Sequence, residues 1–377
     1  MNFDRTEERQ MLSDTMRRYL SDRYGTEIRN AILESETGMS EEIWSGLAEL
    51  GLLGALFGEA DGGYGGDGFD IAVVFEELGR AGVVEPVLDT AILGGGLVAA
   101  LGTGAQKAMV DEVIAGTCHL ALAHGEPHSR YDLSRVETRA TLNGDTITIS
   151  GRKAVVVNAE QADPLIVSTR EYGDADAQDG ISLFLVPANA LGVTLRGYPL
   201  LAGGRAAEVS LDEVIVPADS RLGPAGAAYP ALARAVAAAN VALAAEVMGA
   251  MENAVALTKD YLMTRKQFGR PIGTFQALAH RMADMLIEME QARSAVINAA
   301  GHLGSDAKTR DLQIASARNL LGRVGRLVAE EAIQMHGGIA MTREYELAHI
   351  AKRIVMSEHR FGDADYHLER FIELSAA

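Results

Sequence analysis

Thr141-Leu142-Asn143-Gly144-Asp145-Thr146-Ile147-Thr148-Ile149-Ser150-Gly151 alternates apolar and polar side chains around an Asn-Gly pair. Side chains on a strand point to opposite faces in turn, so this is the pattern of two half-buried strands joined by a tight hairpin turn. The same texture continues in short runs at 155–157, 165–168, 181–186, 193–195, 207–211 and 214–217, with an apolar run at 119–124 ahead of them. On either side the period changes to that of a helix. Ile43, Leu47 and Leu50, then Ile71, Val74, Phe75 and Leu78, recur before the β region. After Tyr229 come Met282, Met285, Leu286 and Met289, then Ile314, Ala317, Leu320 and Leu321. The expected fold is α+β: an N-terminal helical domain over 1–115, a central β-barrel or sandwich over 116–222, and a C-terminal four-helix bundle over 223–377. No internal repeat interrupts this order.

The balance of 34 Lys plus Arg against 52 Asp plus Glu gives a formal net charge of −18. Such a surface repels nucleic acid and anionic lipid, which excludes both as general partners. A lone cysteine, Cys118, offers neither a disulfide nor a zinc cluster and points to a reducing cytoplasm. The acidic start MNFDRTEE lacks the pattern of a secretory signal, and the uncharged stretch 90–105 is short for a membrane span, so a soluble cytoplasmic protein is expected. The nine histidines are scattered. His336 and His349 lie near a helix end with no third ligand beside them, so no metal is expected.

Arg265-Lys266-Gln267-Phe268-Gly269-Arg270-Pro271-Ile272-Gly273 follows a long helical stretch. Adjacent cations, a flat ring and two glycines suit a phosphate and a ring system at a helix junction. Read alone, the stretch equally makes a helix stop, with Gly269 and Gly273 as caps. Gln334-Met335-His336-Gly337-Gly338 has the same two readings, a left-handed cap or bare N–H groups for a pyrophosphate. Glu246 is the only charged residue between Arg234 and Glu252. A carboxylate on so apolar a helix is expected to be buried, either in an ion pair with Arg318 or Arg323 or as a catalytic base. The glycine-rich connector 58–68 reads as a mobile loop or as a backbone wall against a ligand.

Taken together, RKQFGRPIGTFQ with HRMADM behind it, and QMHGGIAMTREY, resemble the two C-terminal signatures of the acyl-CoA dehydrogenase family, and the likeness extends over essentially the whole chain. The resemblance implies FAD-dependent removal of two hydrogens across Cα–Cβ of an acyl-CoA thioester, with electrons passed on to an electron-transfer flavoprotein. It also implies a tetramer in which the ADP half of FAD reaches a neighbouring subunit. Arg265, Gln267, Phe268, Gln334, Gly337 and Gly338 fall where the family grips that half.

The chain departs from the family pattern where the redox ring is held. The family's Trp-Ile-Thr-Asn strand is here Val155-Val156-Val157-Asn158, which lacks both an indole and a donor hydroxyl. The loop normally written Thr-Glu-Pro-Gly-Ser-Gly-Ser-Asp is here Gly125-Glu126-Pro127-His128-Ser129-Arg130-Tyr131-Asp132. The C-terminal base falls on Asp363 when Leu368 and Arg370 are the anchor, and on Glu358 when Ala351 and Lys352 are. The family's other base position falls on Ala239, with Glu246 two turns along as the fallback. Its ending, FGDADYHLERF, resembles the smaller subunit of two-chain enzymes of pimeloyl-CoA or steroid side-chain degradation. Such a subunit implies a homologous partner chain that holds the ring, the acyl-CoA and the base. A self-sufficient homotetramer and a scaffold that has lost FAD are the two alternatives.

Overall fold

The computed structural model describes residues 5–376. Among the described residues six α-helices come first: α1 (Glu7–Arg23), α2 (Thr26–Glu34), α3 (Glu41–Glu49), α4 (Gly68–Ala81), α5 (Gly96–Leu101) and α6 (Gly104–Ile114). The strands are β1 (Ala121–Ala123), β2 (Arg139–Asn143), β3 (Thr146–Val157), β4 (Pro164–Arg170), β5 (Ile181–Pro187), β6 (Val193–Pro199), β7 (Arg205–Pro217) and β8 (Arg221–Leu222). Then come α7 (Tyr229–Thr264), a small hairpin of β9 (Lys266–Gln267) and β10 (Arg270–Pro271), α8 (Gln276–Gly301), α9 (Ala307–His336), α10 (Glu346–Ser357) and α11 (Ala364–Ala376). Helix, sheet and helix follow in the expected order, and the C-terminal part counts five helices among the described residues. Side-chain caps set several helix starts. Thr6 accepts from Arg9 N, Asp306 accepts from Thr309 N, and Asp67 and Thr103 each form a reciprocal capping box.

Contacts group the chain into two compact units that cut across the three sequence segments. One takes residues up to 30, 67–83 and from 240 on, and the other takes 31–66 and 84–239. The N-terminal helices are thus shared out between the two.

In the first unit α4 crosses α7 through a pair of glycines. A Cβ on Gly79 would lie 1.9 Å from the Glu246 carbonyl oxygen, and one on Gly249 would lie 1.9 Å from that of Glu76. The backbones meet because neither side chain stands between them. The buried Glu77 of α4 accepts from Ser13 and Arg17 of α1 and from Arg80. Burial alone would raise its pKa, but these partners outweigh that cost and hold it below the usual carboxylate value.

The second unit carries the sheet, ordered β6-β7-β3-β2-β4-β5-β8 with β1 against β4. Ile147, Ile149 and Val156 of β3, Leu165 and Val167 of β4, Phe184 of β5 and Val209 and Val214 of β7 share one core, so the sheet curls around it. Each such side chain contributes about 1.5–3 kcal/mol by leaving water. The β2–β3 loop is Gly144-Asp145, with Gly144 at φ +62°, one residue later than Asn143-Gly144, because Asn143 instead pairs with Thr146 and bonds Thr148 Oγ1 through its side chain. The connector's glycines pack back on the preceding turn: Gly63 N donates to Gly58 O, Gly65 N to Phe57 O and Gly66 N to Ala55 O. It is a hydrogen-bonded knot rather than a loose link. Trp44 is buried, donates to Gly116 O at 2.9 Å and packs on His119.

Helix α7 is long and apolar enough to cross a membrane, yet 78% of its most apolar window is buried within the protein. It is a core helix by that measure.

Candidate functional site

Arg265 closes α7 by donating its N–H to Tyr261 O, but residues 266–271 do not serve as a cap. Gln267 pairs with Arg270 and Lys266 with Pro271, so the segment turns back as a hairpin whose tip is Phe268-Gly269. Both tip residues have positive φ, +53° and +80°, the combination of a two-residue turn matched to strand twist. Gly269 is therefore a turn residue rather than a helix cap. Phe268 stands 92% exposed, Arg265 and Gln267 are exposed beside it, and the Arg270 guanidinium lies 4.2 Å over the Phe275 ring.

The second segment does end a helix. Gly337, at φ +70°, closes α9 by donating to Ile333 O. Gln334, Gly337 and Gly338 are exposed, and a Cβ on either glycine would meet nothing within 4 Å. Bare backbone, an amide, a guanidinium and an open aromatic face are chemically suited to a dinucleotide's phosphates and base, so these residues fit the ADP half of FAD. His336 and His349 bond Ala332 O, Tyr345 and Arg343 O, and the described residues contain no cluster able to hold a metal.

The three carboxylates expected as bases are each tied into the frame. Glu246, buried on α7, has Oε1 2.7 Å from Arg353 Nε of α10. The ion pair expected with Arg318 or Arg323 is thus made with Arg353. Arg318 donates instead to the carbonyls of Ser357, Arg360 and Gly362, fixing the loop between α10 and α11. Glu358, buried at the end of α10, has Oε2 3.2 Å from Arg326 Nη2, and Gly322 leaves room for its carboxylate. Asp363 Oδ1 accepts from Tyr366 N at 2.9 Å, and its carbonyl accepts from His367 N, so it caps α11. His367 is buried there and its pKa is pushed down to about 3 by burial and by Arg318. Ala239, at the remaining base position, is buried on α7.

In the β unit, the strand matching the family's ring-holding motif breaks register between Lys153 and Val156. Val155 sits in that bulge at φ +54° and 56% exposed, and Asn158 follows at φ +62°. A β-branched residue with left-handed backbone is strained and persists only where its surroundings hold it. Beside this bulge lies a buried group that sequence reasoning missed. Lys153 is fully buried, and its Nζ donates to Glu126 Oε1 at 2.7 Å, Ser168 Oγ at 3.0 Å and His124 O at 3.2 Å. Glu126 also accepts from Glu137 N, Thr138 N and Thr138 Oγ1. Burial lowers the Lys153 pKa to about 8 against the pull of Glu126, and it pushes the His124 imidazole down to about 3, with Lys153 adding to that shift. Val155 and Val157, which stand where the family motif has its indole and its hydroxyl, offer no side-chain hydrogen bond, so these residues do not fit the isoalloxazine as the nucleotide segments fit ADP.

Three family models match in chain order: the acyl-CoA dehydrogenase N-terminal domain over residues 6–116, the middle domain over 121–214 and the C-terminal domain over 231–373. Among curated proteins, the probable acyl-CoA dehydrogenase YngJ of Bacillus subtilis is 29% identical, covering 99% of this chain and 98% of its own. The short-chain-specific acyl-CoA dehydrogenase of Megasphaera elsdenii is 31% identical over 82% of each. A solved variant of the Tcur3481-Tcur3483 steroid ACAD superposes with a TM-score of 0.87 at 31% identity, covering 98% of each chain. Fold and comparisons together define a flavoprotein oxidoreductase. The chain belongs to the acyl-CoA dehydrogenase family, whose members bind FAD.

Proposed function

We propose that this chain is one subunit of a two-chain, FAD-dependent acyl-CoA dehydrogenase of the cytoplasm, contributing the grip on the ADP half of FAD. A homologous partner holds the flavin ring, the acyl-CoA thioester and the base, and an electron-transfer flavoprotein takes the electrons onward. The observation that carries this reading is an asymmetry. The six nucleotide-binding candidates stand exposed on open backbone, whereas Glu246, Glu358 and Asp363 are engaged by Arg353, Arg326 and the α11 amides. The paired chain names of the Tcur3481-Tcur3483 structure lend support.

When bound, FAD supplies the acceptor for the hydride leaving Cβ. Arg265 would neutralise pyrophosphate charge, Phe268 would offer its ring to the cofactor, and Gln334, Gly337 and Gly338 would hold it through an amide side chain and backbone N–H groups. Glu246, Glu358 and Asp363 hold α10 and α11 in place rather than take the Cα proton.

Co-expression with a homologous partner chain and measurement of the flavin absorbance gives the test. The expected product is yellow, with about one FAD for every two chains, and turns over acyl-CoA. Glu246→Gln, Glu358→Gln and Asp363→Asn variants of this chain should still allow acyl-CoA to bleach the flavin. Full FAD occupancy and turnover by this chain alone, or loss of bleaching in one amide variant that still binds FAD, would overturn the proposal.

A further inference from the structure

The nucleotide-binding candidates lie on two separate segments, the 265–268 hairpin after α7 and the 334–338 turn after α9. The contacts that join them run behind the exposed surface. Tyr261, one turn before Arg265, stacks on the His336 ring at 4.5 Å between centroids and 27° between planes. His336 is buried beside Gly337, with Nδ1 2.8 Å from Ala332 O and Nε2 3.1 Å from the Tyr345 hydroxyl. Since the carbonyl can only accept, Nδ1 carries the proton and Nε2 accepts from Tyr345. Burial keeps the imidazole in this neutral form by lowering its pKa. On the far side of the turn, His349 Nε2 donates to Arg343 O at 2.9 Å. These two histidines thus hold both ends of the 337–345 loop.

We propose that His336 is a positioning residue, wedged between Tyr261 and Tyr345, that sets the spacing between the 265–268 hairpin and the 334–338 turn and so the fit of both to one adenosine diphosphate group. This rests on reading those segments as the nucleotide grip. The physical reason is that exposed loops keep a fixed separation only through what is packed beneath them. A ligand gripped at both ends binds best when that separation is preset, since its closure then costs no ordering of the protein.

The test uses the full chain in the assembly in which it purifies, stripped of flavin, with ADP and FAD as the titrants in calorimetry. Tyr345→Phe removes one hydroxyl and keeps the ring, and His336→Phe keeps the stack and removes both hydrogen bonds. Tyr345→Phe should weaken ADP roughly 3- to 10-fold, the worth of one hydrogen bond. His336→Phe should weaken it at least as much, and the double variant no further than His336→Phe alone, because the two act through one contact. Amide exchange in the 265–272 hairpin should quicken in both single variants. A lowered melting temperature with unchanged ADP affinity marks His336 as merely structural and overturns the proposal, as does full additivity in the double variant. Arg265→Ala separates the two failures. If it leaves ADP affinity unchanged, the nucleotide reading falls and the proposal with it. If it weakens ADP while Tyr345→Phe and His336→Phe bind as the native chain does, only the proposal falls.

Discussion

Val155 has φ +54° at a half-open position on the strand bulge, two residues after Lys153 of the buried Lys153–Glu126 pair. Two substitutions test the strained residue and the buried pair separately. Val155→Gly removes the steric penalty of left-handed backbone, roughly 1–2 kcal/mol, against a loss of about 1 kcal/mol from glycine's greater chain entropy. Its expected net effect is therefore small, from zero to a gain of about 1 kcal/mol in urea unfolding. Lys153→Met leaves the Glu126 carboxylate without its counter-charge and removes one partner of the Ser168 hydroxyl, and breaking a buried pair in this way costs about 3–5 kcal/mol. A Lys153→Met protein as stable as the native one would show that the pair contributes nothing to the fold. The valines in the place of Trp-Ile-Thr are legible in the sequence, but the buried pair is not. Glu126 and Lys153 lie 27 residues apart on a loop and a strand, and nothing local in either neighbourhood announces the other.

At the scale of elements, the alternation around Asn143 and the periodicity of the helices are properties of a few neighbouring residues, and they predict hairpin and helices correctly. The segment 265–271 is ambiguous in sequence for a definite reason: glycine after a helix serves a left-handed cap and a hairpin tip equally well. What decides is the cross-strand pairing of Gln267 with Arg270, which composition does not encode. The partner of Glu246 escapes the sequence for a similar reason. Its helix is legible as buried, but which arginine meets it depends on how α10 lies, and α10 brings Arg353 rather than Arg318. The α4–α7 crossing makes its own prediction. Gly79→Ala places a methyl group 1.9 Å from the Glu246 carbonyl oxygen, and backbone cannot turn aside as a side chain can. The helices must part, at a cost of roughly 1–3 kcal/mol or more. Gly104→Ala, at the first turn of α6 with nothing within 4 Å, is the control and should be neutral or gain up to about 1 kcal/mol. Chemical denaturation of both variants checks the contrast, and equal effects would mean that the crossing yields more easily than its geometry implies.

For the whole molecule the decisive groups are the buried neutral imidazoles. His124 and His367 have pKa values of about 3 in the fold, against about 6.5 in an unfolded chain. Burial also lowers those of His119, His336 and His349. From about pH 6.5 downward the unfolded chain takes up a proton at each site, which the folded chain refuses until about pH 3 at the first two. Stability present above about pH 6.5 is therefore lost as the pH falls through that window, at about 1.4 kcal/mol per pH unit for each proton. The formal charge of −18 pulls the other way, since protonating carboxylates relieves self-repulsion, but carboxylates titrate mainly below about pH 5. Between about pH 6.5 and 5 the histidines dominate, and urea midpoints measured across that interval should fall steadily. His367→Gln, a neutral side chain of similar length, should flatten the slope by about one proton while costing some stability at about pH 7.5. A slope unchanged in that variant would mean that His367 takes up its proton in the folded chain as readily as in water, and that burial beside Arg318 does not hold it neutral.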